Sequence, residues 1–232
     1  LAAYYAERAR GGVGLIITGG FAPSRTGQLL PFAGKMTNRA DVLRHREFTK
    51  AVHAEGGKIA LQIIHAGRYG YTPFKVAAGS EPSPIHPFKH LKMTEPIIKH
   101  VIRTFGASAK LARRAGYDAV EIMGGEGYLI NQFLCPHTND RTDRWGGTTE
   151  NRQRFLVEII TEKRIEKATE LLSYTGLHIA EIAYVVGFDD PDYFCKRFKL
   201  HTGCTPLEFR ARRKLVMMKQ SSESKRTLER RS

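Results

Sequence analysis

The chain has 232 residues, 26% charged and 41% hydrophobic, and no stretch reaches the ~18 uncharged apolar residues of a membrane-spanning helix, so we expect a soluble globular protein with one large or two small cores. Its net charge of +14 is uneven: Lys196 to Ser232 holds twelve Lys/Arg against three acids, a net +9, leaving +5 for the other 195 residues. Three scattered cysteines, Cys135, Cys195 and Cys204, exclude a disulfide framework and a CxxC metal site, and fit reduced thiols in the cytoplasm.

No secretory signal pattern opens the chain, although it begins on Leu1 and not Met, which leaves room for a preceding segment. "LAAYYAERARGG" reads as a short amphipathic helix stopped by Gly11 and Gly12. "VGLIITGG" follows as an apolar strand, Val13 to Thr18. "NRADVLRHREFTKAVHAEGG" is a helix closed by Gly56 and Gly57, and "KIALQIIHAG" is a second strand. Apolar positions Ile98, Val101, Phe105, Leu111 and Ala112 mark a helix ending near Gly116, and "DAVEIMGG" is a third strand. Strands alternating with helices predict a parallel sheet with crossover connections.

In such folds chemistry gathers in the loops beyond the strand C-termini. Those loops carry Thr18-Gly19-Gly20, "QIIHAGR" from Gln62, and Glu126-Gly127-Tyr128. A glutamate near a tyrosine at a strand end is either a proton-transfer pair or a pair of loop hydrogen-bonding groups. "GGEG" is no dinucleotide fingerprint, because Ile130 stands where the third glycine belongs. His65 and His137 have no companions at metal-ligand spacing, so no metal site is expected.

Three blocks, "LAAYYAERARGGVGLIITGG", "GGKIALQIIHAGRY" and "AGYDAVEIMGGEGYLINQFLCPHTNDRTDRWGG…NRQRF", carry a resemblance. Residues 1 to about 160 resemble the FMN-dependent old yellow enzyme superfamily, in its 2,4-dienoyl-CoA reductase branch. The resemblance implies a TIM barrel with FMN at its C-terminal mouth and NAD(P)H and an enoyl or dienoyl thioester as partners. It implies that Thr18 and Gln62 contact the flavin, that Tyr128 donates a proton to the reduced alkene, and that Glu126 supports Tyr128. About three of the eight strands are present, so the expected fold here is a partial barrel with open edges available for self-association, and turnover by this chain alone is not expected.

"NRQRFLVEIITEKRIEKATELL", residues 151 to 172, has no Gly or Pro and reads as one unbroken helix. After it the strand signals stop. "HIAEIAYVVGF" is a helix broken at Gly187, and "DDPDYFCKRFKLHTG" is another, with Asp189 or Asp190 as cap and Pro191 in the first turn. "TPLEFRARR" opens with Thr205, Pro206 and Glu208 in the positions of a capping box. Helix, glycine turn, helix is the helix-turn-helix pattern.

Residues 164 to about 213 resemble the C-terminal half of an AraC/XylS-type transcription regulator. By that resemblance the recognition helix runs from Pro191 to about Leu200. Asp192, Cys195 and Lys196 lie nearest the bases, and Arg197, Lys199 and Arg210 are candidates for phosphate contact. Tyr193, Phe194 and Phe198 read as core. The sequence reading is thus a fusion, as a gene rearrangement or an assembly error leaves: a partial FMN barrel over residues 1–160, a DNA-binding segment over 161–213, and a basic disordered tail over 214–232.

Overall fold

A computed structural model describes residues 1–86 and 88–216. The chain forms two compact units that divide between Ile159 and Ile160.

In the first unit, helix α1 (Ala2–Arg10) leads into strand β1 (Leu15–Ile17), and α2 (Arg39–Ala54) into β2 (Lys58–Ile63). Two short strands, β3 (Val76–Ala77) and β4 (Leu91–Lys92), pair with each other in the following excursion. Helix α3 (Glu95–Ala115) then precedes β5 (Ala119–Ile122), and a short α4 (Leu129–Leu134) follows. The sheet order is β1-β2-β5, all parallel, with Ile17 beside Ala60 and Ala60 beside Ala119. The expected alternation of strand and helix is therefore present, and β1 is shorter than the Val13–Thr18 apolar run.

Strand residues alternate between two faces. Ile16, Ile59, Leu61 and Ile63 join the core that α2 and α3 build with Val52, Ile98, Val101 and Phe105. On the opposite face Leu15 and Ile17 remain 54% and 51% exposed. A closed barrel fills that face with side chains from further strands; here Ala60 is buried on it but Leu15 and Ile17 at the β1 edge are not covered, as in a partial barrel.

Local chemistry fixes the helix ends. Asn38 caps α2 by accepting the Asp41 amide at 3.1 Å. Helix α3 closes on Gly116, whose φ of +94° only glycine adopts without strain. The hydroxyl of Thr49 on α2 donates to the last α3 carbonyl, that of Ala115, at 2.6 Å, so one side chain joins the two helices. Beside it the buried His45 ring shares a hydrogen bond of 2.8 Å with the Tyr117 hydroxyl.

Helix α5 (Thr149–Tyr174) supplies both cores. Phe155 and Ile159 belong to the first, where Phe155 stacks on Phe133 with ring centroids 4.2 Å apart. Ile165, Ala168 and Leu172 belong to the second, with Ile182, Ala183 and Val186 around α6 (Ile179–Val185) and Phe194 and Phe198 on α7 (Pro191–Thr202). A further helix, α8, covers residues 206–216. Residues 214–216 are thus helical and not the start of a disordered tail; the rest of the expected tail, 217–232, lies outside the described residues.

Burial holds the His45 imidazole well below its ordinary pKa of 6.5, at about 4, against the pull of Asp41. The unfolded chain therefore takes up a proton near pH 6.5 that the folded unit refuses until about pH 4. Stability of the first unit is expected to be full above pH 6.5 and to be lost as pH falls toward 4. Urea unfolding followed by the fluorescence of Trp145, which is the sole tryptophan and buried in this unit, reads it out, and His45→Leu should make the pH dependence less steep.

Candidate functional site

Because the sheet is parallel, the C-terminal ends of β1, β2 and β5 lie along one edge. Thr18, Gln62 and the 126–128 turn all sit there. The ladder slips at Thr18: Ile17 faces Ala60, yet Phe21 faces Ile63, so four steps on one chain span three on the other. This is a bulge, and the Thr18 hydroxyl repairs it by accepting the Gln62 amide at 3.1 Å, while the Thr18 amide donates to Ala60. Phe21 then resumes the pairing, donating to the Gln62 carbonyl at 2.9 Å. Gly20 is needed here, since a Cβ at that position would lie 2.3 Å from the Ile64 side chain. Thr18 is buried and its hydroxyl keeps one proton to donate, and the Gln62 carboxamide is half-buried at the same edge.

The loop after β2 and the turn after β5 are tied together by Gln132 of α4. Its Oε1 accepts the Arg68 amide at 3.1 Å, and its Nε2 donates to the Gly127 carbonyl at 2.7 Å. The His65 carbonyl accepts the Leu129 amide at 3.0 Å, and the His65 ring is buried, with its pKa pushed down by burial to about 3. His65 is therefore a neutral structural group here: its Nδ1 accepts the Gly67 amide at 3.2 Å. Among the described residues no group of three His, Cys, Asp or Glu could hold a metal ion.

Glu126 and Gly127 both have positive φ, +56° and +75°, as the two central residues of a tight turn closed by the Tyr128 amide on the Gly125 carbonyl. A glutamate in this conformation is strained, and the surrounding bonds hold it there. The Tyr69 ring packs on the turn: it meets Tyr128 edge-on with centroids 6.3 Å apart, and a Cβ on Gly127 would lie 2.6 Å from it. Arg68 in turn lies 5.3 Å over the Tyr69 ring. The structure thus brings Tyr128 and Glu126 into one turn, with no hydrogen bond between their side chains among the described residues.

Sequence reasoning passed over Glu121. It is the register partner of Gln62 on the open sheet face, and its Oε2 is buried without a hydrogen-bond partner. The available signal was an acid inside the apolar run "AVEI". It also passed over Tyr69 and Gln132, whose roles depend on contacts between loops far apart in sequence.

In the second unit, Asp190 caps α7 by accepting the Asp192 amide at 2.8 Å, and Thr205 and Glu208 form both bonds of the capping box of α8. Phe194 and Phe198 are buried, which turns the opposite face of α7 outward: Asp192, Tyr193, Lys196, Lys199 and Leu200 are exposed. Tyr193, read as core from its spacing, lies on this outer face because its neighbour Phe194 takes the inward position. Cys195 and Arg197 flank the face, half-buried, and burial followed by the Asp192 charge pushes the Cys195 thiol pKa up. Arg210 is half-buried and donates to the Leu177 carbonyl at 2.6 Å, so part of its guanidinium fastens α8 to the loop before α6.

Residues 1–175 match the family model described as the NADH:flavin oxidoreductase / NADH oxidase family, and residues 150–212 match that of a helix-turn-helix domain. Among curated relatives, a metal reductase of Desulforamulus reducens is 41% identical over 169 residues, covering 69% of this chain and 25% of that protein. An NADPH dehydrogenase of Halalkalibacterium halodurans is 40% identical over 163 residues, covering 68% and 47%. The chain therefore spans about half, or less, of the length of these relatives. Among solved structures, 2-naphthoyl-CoA reductase in complex with 2-naphthoyl-CoA superposes with a TM-score of 0.66 at 31% identity, covering 69% of this chain and 27% of that one. The old yellow enzyme homologue from Zymomonas mobilis superposes with a TM-score of 0.64 at 30% identity, covering 70% and 49%.

Gly127→Ala should disturb the 126–128 turn, because the new methyl group meets the Tyr69 ring and the backbone keeps a positive φ. We expect a loss of more than ~1 kcal/mol in the stability of the first unit, read by urea unfolding on Trp145 fluorescence, whereas Gly125→Ala, with open space at its Cβ, should cost less.

Proposed function

We propose a DNA-binding function for this chain, which belongs over residues 1–175 to the NADH:flavin oxidoreductase / NADH oxidase family and carries an AraC-type helix-turn-helix over residues 150–212. The observation that supports it best is the outer face of α7. A helix whose aromatic side is packed away presents Lys196 and Lys199 to solvent beside a short turn from α6, the arrangement that lays a recognition helix into a major groove. Lys196 and Asp192 lie nearest the bases in this reading. Lys199 and Arg197 meet phosphates from the flanks of the helix, and Arg210 adds whatever donors its bond to Leu177 leaves over. Asp190 caps the helix, and Asp192, exposed in the first turn of α7, is the acid placed on its outer face to accept from a cytosine amino group.

FMN, the cofactor implied by resemblance, is met in part by the first unit. Thr18 and Gln62 place one buried hydroxyl donor and one carboxamide at the strand ends, which suits the polar edge of a flavin ring. When bound, the flavin supplies a hydride; Tyr128 is the proposed proton donor to the alkene, with Glu126 holding its turn. The open face beside Leu15 and Ile17 supplies no wall on the other side, so the reading for the isolated chain is DNA binding without turnover. The same open face favours a second reading, an enoyl or dienoyl thioester reductase using NAD(P)H and completed by strands from a partner or a second copy.

Few phosphate contacts from one helix-turn-helix mean weak binding with strong salt dependence. Neutralising Lys196, Arg197 and Lys199 together should reduce affinity for duplex DNA at least ~100-fold at low salt and flatten the salt slope by about two, following the loss of about one counterion for each of the phosphate contacts of Arg197 and Lys199. Unchanged binding in fluorescence anisotropy would remove the proposal. For the second reading, purified chain incubated with FMN and then desalted should stay yellow and lose alkene reduction in Tyr128→Phe; colourless protein excludes it for the isolated chain.

A further inference from the structure

We infer that α7 carries two different edges, and that its carbon edge, Tyr193 with Leu200, reads the 5-methyl groups of thymine. The inference rests on the DNA-binding reading above and gives it a base preference.

Asp192 and Lys199 are seven residues apart, as are Tyr193 and Leu200, and such pairs lie within ~20° of each other around a helix. Each pair therefore forms a stripe along α7, with Lys196 between the two. All five side chains are exposed, Tyr193 by 46% and Leu200 by 73%. One stripe is charged and the other is apolar. The core of this unit is already filled by Phe188, Phe194 and Phe198, with Phe188 and Phe194 centroids 5.3 Å apart. Tyr193 leans on this cluster from outside, its ring 6.1 Å from that of Phe188, which steadies the phenol while leaving its outer edge in water.

A helix in the major groove meets one chemical feature that rewards carbon, the thymine methyl group. Tyr193 lies in the first turn of α7, the part of a recognition helix that approaches base edges, and Leu200 lies two turns on. Lys196 between the stripes is placed for a guanine edge or a phosphate. The expected preference is for sites with thymines on the strand facing the carbon edge, whereas the charged stripe alone yields salt-sensitive binding without that preference.

The test uses the full chain and a duplex enriched by it from a random pool. Each thymine is replaced in turn by deoxyuridine, which removes only the methyl group. Wild type should lose about fourfold in affinity at each of two positions, the scale of burying one methyl. Tyr193→Ala should bind thymine and uracil duplexes equally at one such position with the salt slope unchanged, and Leu200→Ala should do so at another. Tyr193→Phe should keep the discrimination; its loss would assign the effect to the hydroxyl and overturn the methyl contact. Equal wild-type affinity for thymine and uracil duplexes, or discrimination surviving both alanine variants, also overturns it. No binding to any duplex at low salt would instead bring down the DNA-binding reading itself, and this inference with it. Far-UV circular dichroism confirms that each variant keeps its helices.

Discussion

Phe155 stacks face to face on Phe133, and ten residues later Ile165 is buried among Ile182, Phe194 and Phe198. Both belong to one helix, and the order of the chain depends on α5 satisfying two cores in succession. Phe155 and Ile159 share one face and Ile165, Ala168 and Leu172 another, so each half buries its own side without a break in the backbone. The two family matches overlap on residues 150–175, which is nearly the extent of this helix. A junction inside a helix is tolerable physically, since hydrogen bonding and rise per residue continue across it whatever packs on either side. Among the described residues, strands occur before α5 and none after it.

The parallel register governs what the first unit can do. It lines up three strand ends, and the bulge at Thr18 redirects a hydroxyl into the ladder where a carbonyl would otherwise stand. Gln132 then binds the second loop to the third, and the tight turn at Glu126 persists because Tyr69, Gly127 and Gln132 surround it. These are the contacts of a built loop cluster. The same sheet leaves Leu15 and Ile17 uncovered, and burying two such side chains contributes several kcal/mol in a closed barrel. The loop cluster is therefore built on one side of the sheet, while Leu15 and Ile17 stay uncovered on the face beside it.

In the second unit, caps do much of the defining. Asp190 on α7 and the Thr205–Glu208 pair on α8 satisfy amides that helix termini leave unpaired, each contributing about 1 kcal/mol. What remains exposed on α7 is one acid, two lysines and two apolar side chains, a composition suited to a groove. Arg210 shows the opposite use of charge, with a guanidinium bonded to the Leu177 carbonyl inside the unit.

Periodicity and glycine placement alone determined the three parallel strands, the helices between them, the long α5 and the helix-turn-helix after it, because these follow from local spacing and from residues such as Gly116 that only one conformation suits. The capping box at Thr205 was equally legible, being a contact between residues three apart. Tertiary structure decided the rest. It turned Tyr193 outward, because two adjacent aromatic residues on a helix cannot both face one core and Phe194 occupies the inward position. It extended α8 through residue 216 and assigned the Thr18 hydroxyl to a bulge whose existence depends on pairing with a strand more than forty residues away. It left the Glu121 Oε2 buried without a hydrogen-bond partner beside Gln62, and it made Tyr69 and Gln132 the supports of the Tyr128 turn. These are long-range contacts, and a linear pattern carries no record of which side chains the fold will bring together.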